Sequence, residues 1–200
     1  MQINNIANEN VQVDIVRPRK RWKIIIAVAC IALVIAGGIT AYLRHESKIH
    51  AQNVAAANKI QMVNLQKKLT ADQNSGNFQL TVNDASTLIN GKLSGKYQID
   101  NKKLADYYMQ TGAAYFNLKN YAKAKSSYEA AVKYDKSIQR AALQGEVSTG
   151  YAAGEREQLI PLLQQLKVLA NKPPHDILDP SASMYDHDIY AIQHKQEISL

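Results

Sequence analysis

The side chains best suited to metal chemistry lie near the C-terminus, where carboxylates and imidazoles follow one another closely at Asp186, His187, Asp188 and His194. Both groups are metal ligands in proteins. The overlapping stretch DPSASMYDHD begins like a calcium-binding loop, but Met184 occupies the position where the sharp turn needs glycine, and no Glu closes the loop. We therefore expect a polar segment and no metal site.

The rest of the chain offers little catalytic chemistry. His45 and His50 lack a carboxylate or cysteine partner at ligand spacing, and the single cysteine, Cys30, excludes a disulfide framework within the chain. The chain has no glycine-rich phosphate loop and no GxSxG, HExxH or CxxC motif. We predict that it is not an enzyme and binds no cofactor. The alternative from another class is an envelope enzyme or metal binder that uses the His/Asp-rich tail.

The most specific pattern in the chain is a pair of short helices within residues 105–136. In the first half, residues that fit one helical face fall at i, i+3, i+4 and i+7: Tyr108, Thr111, Gly112 and Tyr115. In the second half, small and aromatic residues recur at a similar interval, at Ala124, Tyr128 and Ala131. The stretch Leu118-Lys119-Asn120-Tyr121 breaks the helix between them, because Asn tolerates the left-handed conformation at a helix end.

These spacings resemble the tetratricopeptide repeat, a helix–turn–helix of about 34 residues with small and aromatic residues at fixed offsets. Six framework positions match: Tyr108, Gly112, Tyr115, Ala124, Tyr128 and Ala131. Thr111 stands where the family usually has Leu, and Lys136 where it often has Pro. The alternative is an ordinary antiparallel helix pair whose pattern matches by coincidence.

The resemblance implies an all-α superhelix with a concave groove that binds peptides or partner helices. By this resemblance, the positions that line the family's groove correspond to a stripe at i, i+3, i+7, i+10 and i+11: Asp106, Met109, Ala113, Phe116 and Asn117. Met109 and Phe116 flank the small Ala113, which suits an amphipathic or apolar segment. Met109 and Ala113 do not fit the carboxylate clamp of some family members. The open alternative is that residues 81–93 or the C-terminal tail cover this stripe.

A membrane anchor is predicted near the N-terminus. Residues 24–43 carry no charge, and twenty helical residues span about 30 Å, the thickness of the hydrocarbon core. Trp22 and Tyr42 flank this span, and five basic residues precede it between Arg17 and Lys23. The positive-inside rule then places residues 1–23, a disordered tail, in the cytoplasm and residues 44–200 outside, with the plasma membrane as the location. Cleavage as a signal peptide at Ile39-Thr40-Ala41 is the competing interpretation.

The same span contains a stripe of small residues, Ala32, Ala36 and Thr40, through which two copies could pair as a homodimer. The net charge is +7, but the basic residues are concentrated only in the cluster at 17–23. We therefore expect no nucleic-acid partner.

Three further segments complete the predicted organisation. Residues 44–100 form a stalk helix and a partial hairpin, whose helix at 81–93 is capped by Asn83 or Asp84 and ended by Gly91 and Gly95. Residues 101–171 form the repeat domain, in which Pro161 requires its helix to begin near Gln158–Ile160. Residues 172–200 form an irregular tail, because three prolines interrupt it, and a short helix near Asp188–Lys195 is its one regular element.

The fold class predicted is therefore all-α: a single transmembrane helix, a small tetratricopeptide-like superhelix and an irregular tail. The function predicted is that of a membrane-anchored adaptor or scaffold, an assembly or chaperone-like accessory to a membrane complex, whose partner is a protein or peptide. The alternative within that class is a structural subunit of an envelope pilus or secretion apparatus.

Overall fold

The computed structural model describes residues 19–170 and 182–194, which form seven α-helices and two short 3₁₀ turns. The helices are α1 (Arg19–Asn74), α2 (Phe78–Leu93), α3 (Asn101–Asn117), α4 (Tyr121–Tyr134), α5 (Gln139–Ala152), α6 (Ile160–Ala170) and α7 (Ala182–Gln193). The described residues include no strand, so the all-α prediction is confirmed for them. The chain divides into two compact units, Met1–Asn53 and Val54–Leu200, and α1 contributes residues to both.

The described part of the first unit is the N-terminal portion of α1. Every side chain from Ile25 to Asn53 is exposed, including Ala32, Ala36 and Thr40. The helix contains an 18-residue window with a mean hydropathy of 2.4, so by length and composition it is able to cross a membrane. Arg19–Lys23, expected in the tail, already belong to α1, whereas the tail prediction for residues 1–18 lies outside the described residues.

The second unit begins with a core shared by the end of α1, α2 and α3. Its buried side chains are Leu69, Ala85, Leu88, Ile89, Tyr97, Ile99, Leu104 and Tyr107. Two polar contacts join the same helices: Lys68 Nζ lies 3.1 Å from Asp84 Oδ1, and Gln66 Nε2 donates to the Tyr107 hydroxyl at 2.6 Å. Burying this apolar surface is what fixes the three helices together.

Helix α2 differs from the prediction at both ends. It begins at Phe78, so Asn83 and Asp84 lie inside it and do not cap it. Asp84 is buried and is paired with Lys68, which explains a carboxylate in a helix interior. Gly91 also lies inside the helix, where glycine is required because a Cβ would clash with the Tyr97 ring. Gly95, with φ +76°, follows the helix end as predicted.

The α3–α4 hairpin has caps at the start of both helices. The carboxylate of Asp100 accepts a hydrogen bond from Lys103 N at 2.7 Å, and the side chain of Asn120 accepts one from Lys123 N at 3.3 Å. The left-handed conformation predicted for Asn120 occurs instead at Lys119, with φ 56°. The cap explains the difference, since an N-cap residue requires a different backbone conformation.

Helices α5, α6 and α7 form a second core. It consists of Leu143, Val147, Leu159, Leu163, Leu166, Ala170, Tyr185, Ala191 and Ile192. Helix α6 begins at Ile160 after a 3₁₀ turn, Arg156–Leu159, so its predicted start is confirmed and Pro161 lies in its first turn. The predicted irregular tail is wrong for residues 182–187, because the short helix expected near Asp188–Lys195 begins six residues earlier, at Ala182, and forms α7, which packs on α6. The tail residues 172–181 and 195–200, and residue 171 of the predicted repeat domain, lie outside the described residues.

Candidate binding groove on helix α3

The five predicted groove residues all lie on α3, which is held between α2 and α4 and also touches α5. Ala113 and Asn117 are exposed, whereas Asp106, Met109 and Phe116 are half-buried. The stripe therefore presents both apolar and polar atoms to solvent.

The two large apolar side chains of the stripe rest on a small core between α3, α4 and α5. Met109 and Phe116 pack against Ala124, Tyr128 and Ala142, and the Phe116 ring lies 6.1 Å from that of Tyr121. These partners come from α4 and α5, whereas α7 packs on α6. The inner sides of Met109 and Phe116 are thus fixed, and their outer sides remain accessible.

The polar members of the stripe have local partners. Asp106 lies 3.6 Å from the ammonium of Lys103 in an exposed ion pair, and Asn117 Nδ2 donates to the Ala113 carbonyl at 2.8 Å. An exposed pair of this kind stabilises little, because solvent screens it. Both side chains can therefore exchange these contacts for contacts with a bound partner.

Gln110 belongs to the same stripe, four residues after Asp106, and sequence reasoning missed it. It is half-buried, and its Oε1 atom is buried with no hydrogen-bond partner among the described residues. Leaving such an atom unsatisfied costs about 1–3 kcal/mol. Helical spacing from Asp106 was the signal that could have identified it.

Tyr128 of α4 forms the floor beneath this stripe. A Cβ on Gly112 of α3 would lie 2.7 Å from Tyr128 Cε1, and a Cβ on Gly145 of α5 would lie 2.7 Å from Tyr128 Cζ. The ring is therefore held between two glycines from different helices, and burial raises the pKa of its hydroxyl. The sequence identified Gly112 as a framework position but did not single out Gly145.

The other framework residues support the hairpin. Ala124 and Ala131 are fully buried, Tyr108 stacks on Tyr134 with ring centroids 5.5 Å apart, and the Lys123 ammonium lies over the half-buried Tyr115 ring. Thr111 fits where a larger apolar residue was expected. Its hydroxyl is buried and donates to the Tyr107 carbonyl at 2.7 Å, so the polar atom is satisfied.

Small side chains form the exposed surface of α5. Ala141, Ser148 and Ala152 are exposed, and the half-buried Gly145 lies on the same helical stripe. The buried side of α5 faces α4 and α6, while the helix also touches α3. Gly145 connects this strip to the Tyr128 ring, on which Met109 and Phe116 also pack.

A buried carboxyl lies behind this surface, at Glu146. Its residue is 6% exposed, and burial raises its pKa to about 7, helped by the nearby Glu129 and opposed by Lys125. Lys125 is itself engaged, since its Nζ lies 2.8 Å from Glu155 Oε2. No motif in the sequence marks Glu146.

The candidate metal ligands are not gathered into one site. Asp186 Oδ1 lies 2.6 Å from Lys167 Nζ, and the rings of His194 and Tyr190 are stacked with centroids 3.9 Å apart. Asp188 is buried, and its Oδ1 lies 3.7 Å from His187 Nδ1. His45 and His50 are exposed on α1. Within residues 19–170 and 182–194, no group of three or more His, Cys, Asp or Glu side chains is placed to hold a metal ion.

Comparison with known proteins gives no relative from which a role could be transferred: no family model, no curated protein and no solved structure matches the chain.

Proposed function

We propose that this protein is a membrane-anchored adaptor whose tetratricopeptide-like helices bind an apolar or amphipathic segment of a protein partner. The observation that carries the proposal is the accessible pair Met109 and Phe116, fixed on Tyr128 of α4 and on the small side chain of Ala142 of α5. A surface of rigid apolar side chains next to small ones accepts a helix or an extended peptide. The polar Asp106 and Asn117 lie near its two ends and would orient that segment.

The proposed location is the plasma membrane, with the N-terminus in the cytoplasm and residues 44–200 outside. Its support is the apolar helix, the basic residues before it, and the interfacial aromatics Trp22 and Tyr42. Reporter fusions at Asn10 and Leu200 test this topology, because we expect them to report different compartments. A cytoplasmic signal from the Leu200 fusion would overturn the orientation.

The groove is tested with a double variant, Met109→Ala/Phe116→Ala, in cross-linking pull-downs. We expect the variant to keep its helical circular dichroism spectrum and to capture at least about tenfold less of its partner. Val168→Ala removes an exposed apolar side chain of α6 and serves as the matched control, with partner capture unchanged. Retained capture by the folded double variant would refute the groove.

A further inference from the structure

The groove stripe on α3 continues to a lysine near the start of the helix. Lys102 is exposed and lies four residues before Asp106, so the two side chains fall on the same helical face. The pKa of Asp135 is lowered, mainly by hydrogen bonds from Ser137 and to a smaller extent by the charge of Lys102, so this lysine also lies near the end of α4. The stripe therefore carries a positive charge beyond Asp106.

A second lysine lies at the same end of the groove, on α1. Helices α1 and α3 run in the same direction, because α2 returns between them, and Gln66 of α1 donates to the hydroxyl of Tyr107 of α3. Lys59 is exposed and lies seven residues before Gln66, nearly two helical turns, so it is on the side of α1 that faces α3. This spacing also puts Lys59 close to the level at which α3 begins.

A third lysine, Lys136, belongs to the 3₁₀ turn that precedes α5. Gly112 of α3 and Gly145 of α5 lie against the same ring, that of Tyr128, so these two positions are at the same level. Lys103 is nine residues before Gly112, and Lys136 is nine residues before Gly145. The exposed Lys136 therefore lies at the same end of the groove as Lys103.

The carboxylates at this end of the groove are engaged. Asp106 lies 3.6 Å from the ammonium of Lys103. Asp100 and Asp135 accept hydrogen bonds from backbone N–H groups at the start of α3 and of the turn before α5, where the positive end of a helix dipole offsets negative charge. The lysines at this end that have no carboxylate at ion-pair distance, among the residues that the structure describes, are Lys59, Lys102 and Lys136. We call these three the basic rim of the groove.

The other end of the groove is less basic. Helices α1, α3 and α5 end there at the neutral residues Asn74, Asn117 and Ala152. Lys119 lies in the turn after α3, and Glu155, which follows α5, pairs with Lys125 at 2.8 Å. The groove is therefore asymmetric in charge, and its positive end is the one at which α3 begins.

We propose that the groove binds a segment of a protein partner in which an apolar stretch is flanked at one end by acidic residues. The apolar stretch lies on Met109 and Phe116, and the acidic residues lie at the basic rim. The inference rests on the proposed function, because it concerns the same groove. Charge complementarity selects this occupant, since a carboxylate at the rim meets exposed ammonium groups and a basic group is repelled there. The rim thereby fixes which end of the segment lies at the start of α3.

Three synthetic peptides test this preference. All have the same core of alternating Leu and Ala, and they end in a run of Glu, of Gln or of Lys. Binding of each labelled peptide is measured by fluorescence polarisation on the full chain in nanodiscs of zwitterionic lipid, with empty nanodiscs as the reference for partition into lipid. We expect the Glu-ended peptide to bind about fivefold more tightly than the Gln-ended one at low salt, since each exposed ion pair adds little. The difference should shrink at high salt, because ions screen exposed charges.

Two double variants locate the preference on the rim. Lys102→Gln/Lys136→Gln removes two charges of the basic rim and should abolish the preference for the Glu-ended peptide. Lys119→Gln/Lys133→Gln is the matched control, because it removes the same charge from exposed positions at the other end of the groove and on α4. The control should keep the preference, and circular dichroism checks that both variants are folded.

Met109→Ala/Phe116→Ala separates the groove from its rim, because it should weaken the binding of all three peptides. If the three bind the original chain equally and this variant weakens them, the groove stands and the acidic preference is overturned. Tighter binding of the Lys-ended peptide would also overturn it, because Asp106 would then select the partner. A preference for the Glu-ended peptide that survives in the Lys102→Gln/Lys136→Gln chain would refute the rim. No binding of any peptide would overturn the groove and the rim together.

Discussion

Tyr128 shows how one side chain can set the distance between three helices. Its ring has glycine on both sides, Gly112 and Gly145, so it cannot move away from a new methyl group on one without approaching the other. The sequence pattern identified Tyr128 and Gly112, because both are framework positions. It could not identify Gly145, since that contact depends on how α5 is aligned against α4 and not on a repeated motif.

The first prediction follows from this arrangement. Gly112→Ala should lower the free energy of unfolding by about 1–3 kcal/mol through overpacking, although Ala is favoured over Gly in a helix by about 1 kcal/mol. Urea denaturation of the Val54–Leu200 unit measures the change. Adding Tyr128→Leu should recover part of the loss, because the clash is with the ring, and Ala113→Leu on the exposed side of the same turn should be nearly neutral. A Gly112→Ala protein that is more stable than the original would contradict this packing.

Glu146 carries the second prediction, which concerns pH. Its folded-state pKa of about 7 lies above the ordinary value of 4.5, so the folded protein keeps a proton that the unfolded chain has released. The free energy of unfolding should therefore decrease as pH rises from about 4.5 through 7, by about 2–3 kcal/mol in total. The physical cause is the cost of a charged carboxylate in a buried site next to Glu129.

Denaturant titrations at pH 5 and pH 8.5 measure this difference. Glu146→Gln should remove most of the pH dependence, whereas Glu157→Gln, an exposed carboxylate outside this site, should leave it in place. Equal pH dependence in the Glu146→Gln protein would show that another group is responsible.

At the scale of elements, α7 departs from the sequence prediction in its extent, because the short helix expected near Asp188–Lys195 begins at Ala182. The prolines that indicated an irregular tail, Pro173, Pro174 and Pro180, all precede Ala182, so they do not interrupt α7. Tyr185 and Ile192 are seven residues apart and both are buried on the α6 core. Twelve residues give few helical turns in which to recognise such a face, and packing on α6 supplies the rest of the stability.

The third prediction tests that packing. Tyr185→Ala should cost about 3 kcal/mol, because it empties a buried site between α6 and α7. Tyr190→Ala removes the same side chain from the exposed side of α7, where it is 52% exposed, and should cost under 1 kcal/mol. Thermal unfolding of the two variants compares them directly, and equal costs would argue against the docking of α7.

At the scale of the whole molecule, the sequence predicted the all-α class, the apolar N-terminal helix and the central hairpin, because periodicity and composition determine these directly. The extent of the folded unit was harder to predict. Leu69 and Ile192 lie in segments assigned to a stalk and a tail, and their burial depends on contacts with helices far away in the sequence. Local patterns do not contain that information.

The last prediction concerns where the autonomously folding unit begins and ends. Residues 101–171 are the domain predicted from the sequence, but a fragment of that length would expose Leu104 and Tyr107, which pack with Leu69 and Leu88, and Leu163 and Leu166, which pack with residues of α7. Uncovering several buried side chains costs about 1.5–3 kcal/mol each, and a small domain has only about 5–15 kcal/mol to lose. We therefore expect Val54–Leu200 to unfold cooperatively in urea, and residues 101–171 to show a broad transition and to bind a hydrophobic dye. A cooperative transition of similar midpoint in the shorter fragment would show that the outer helices are not required for the fold.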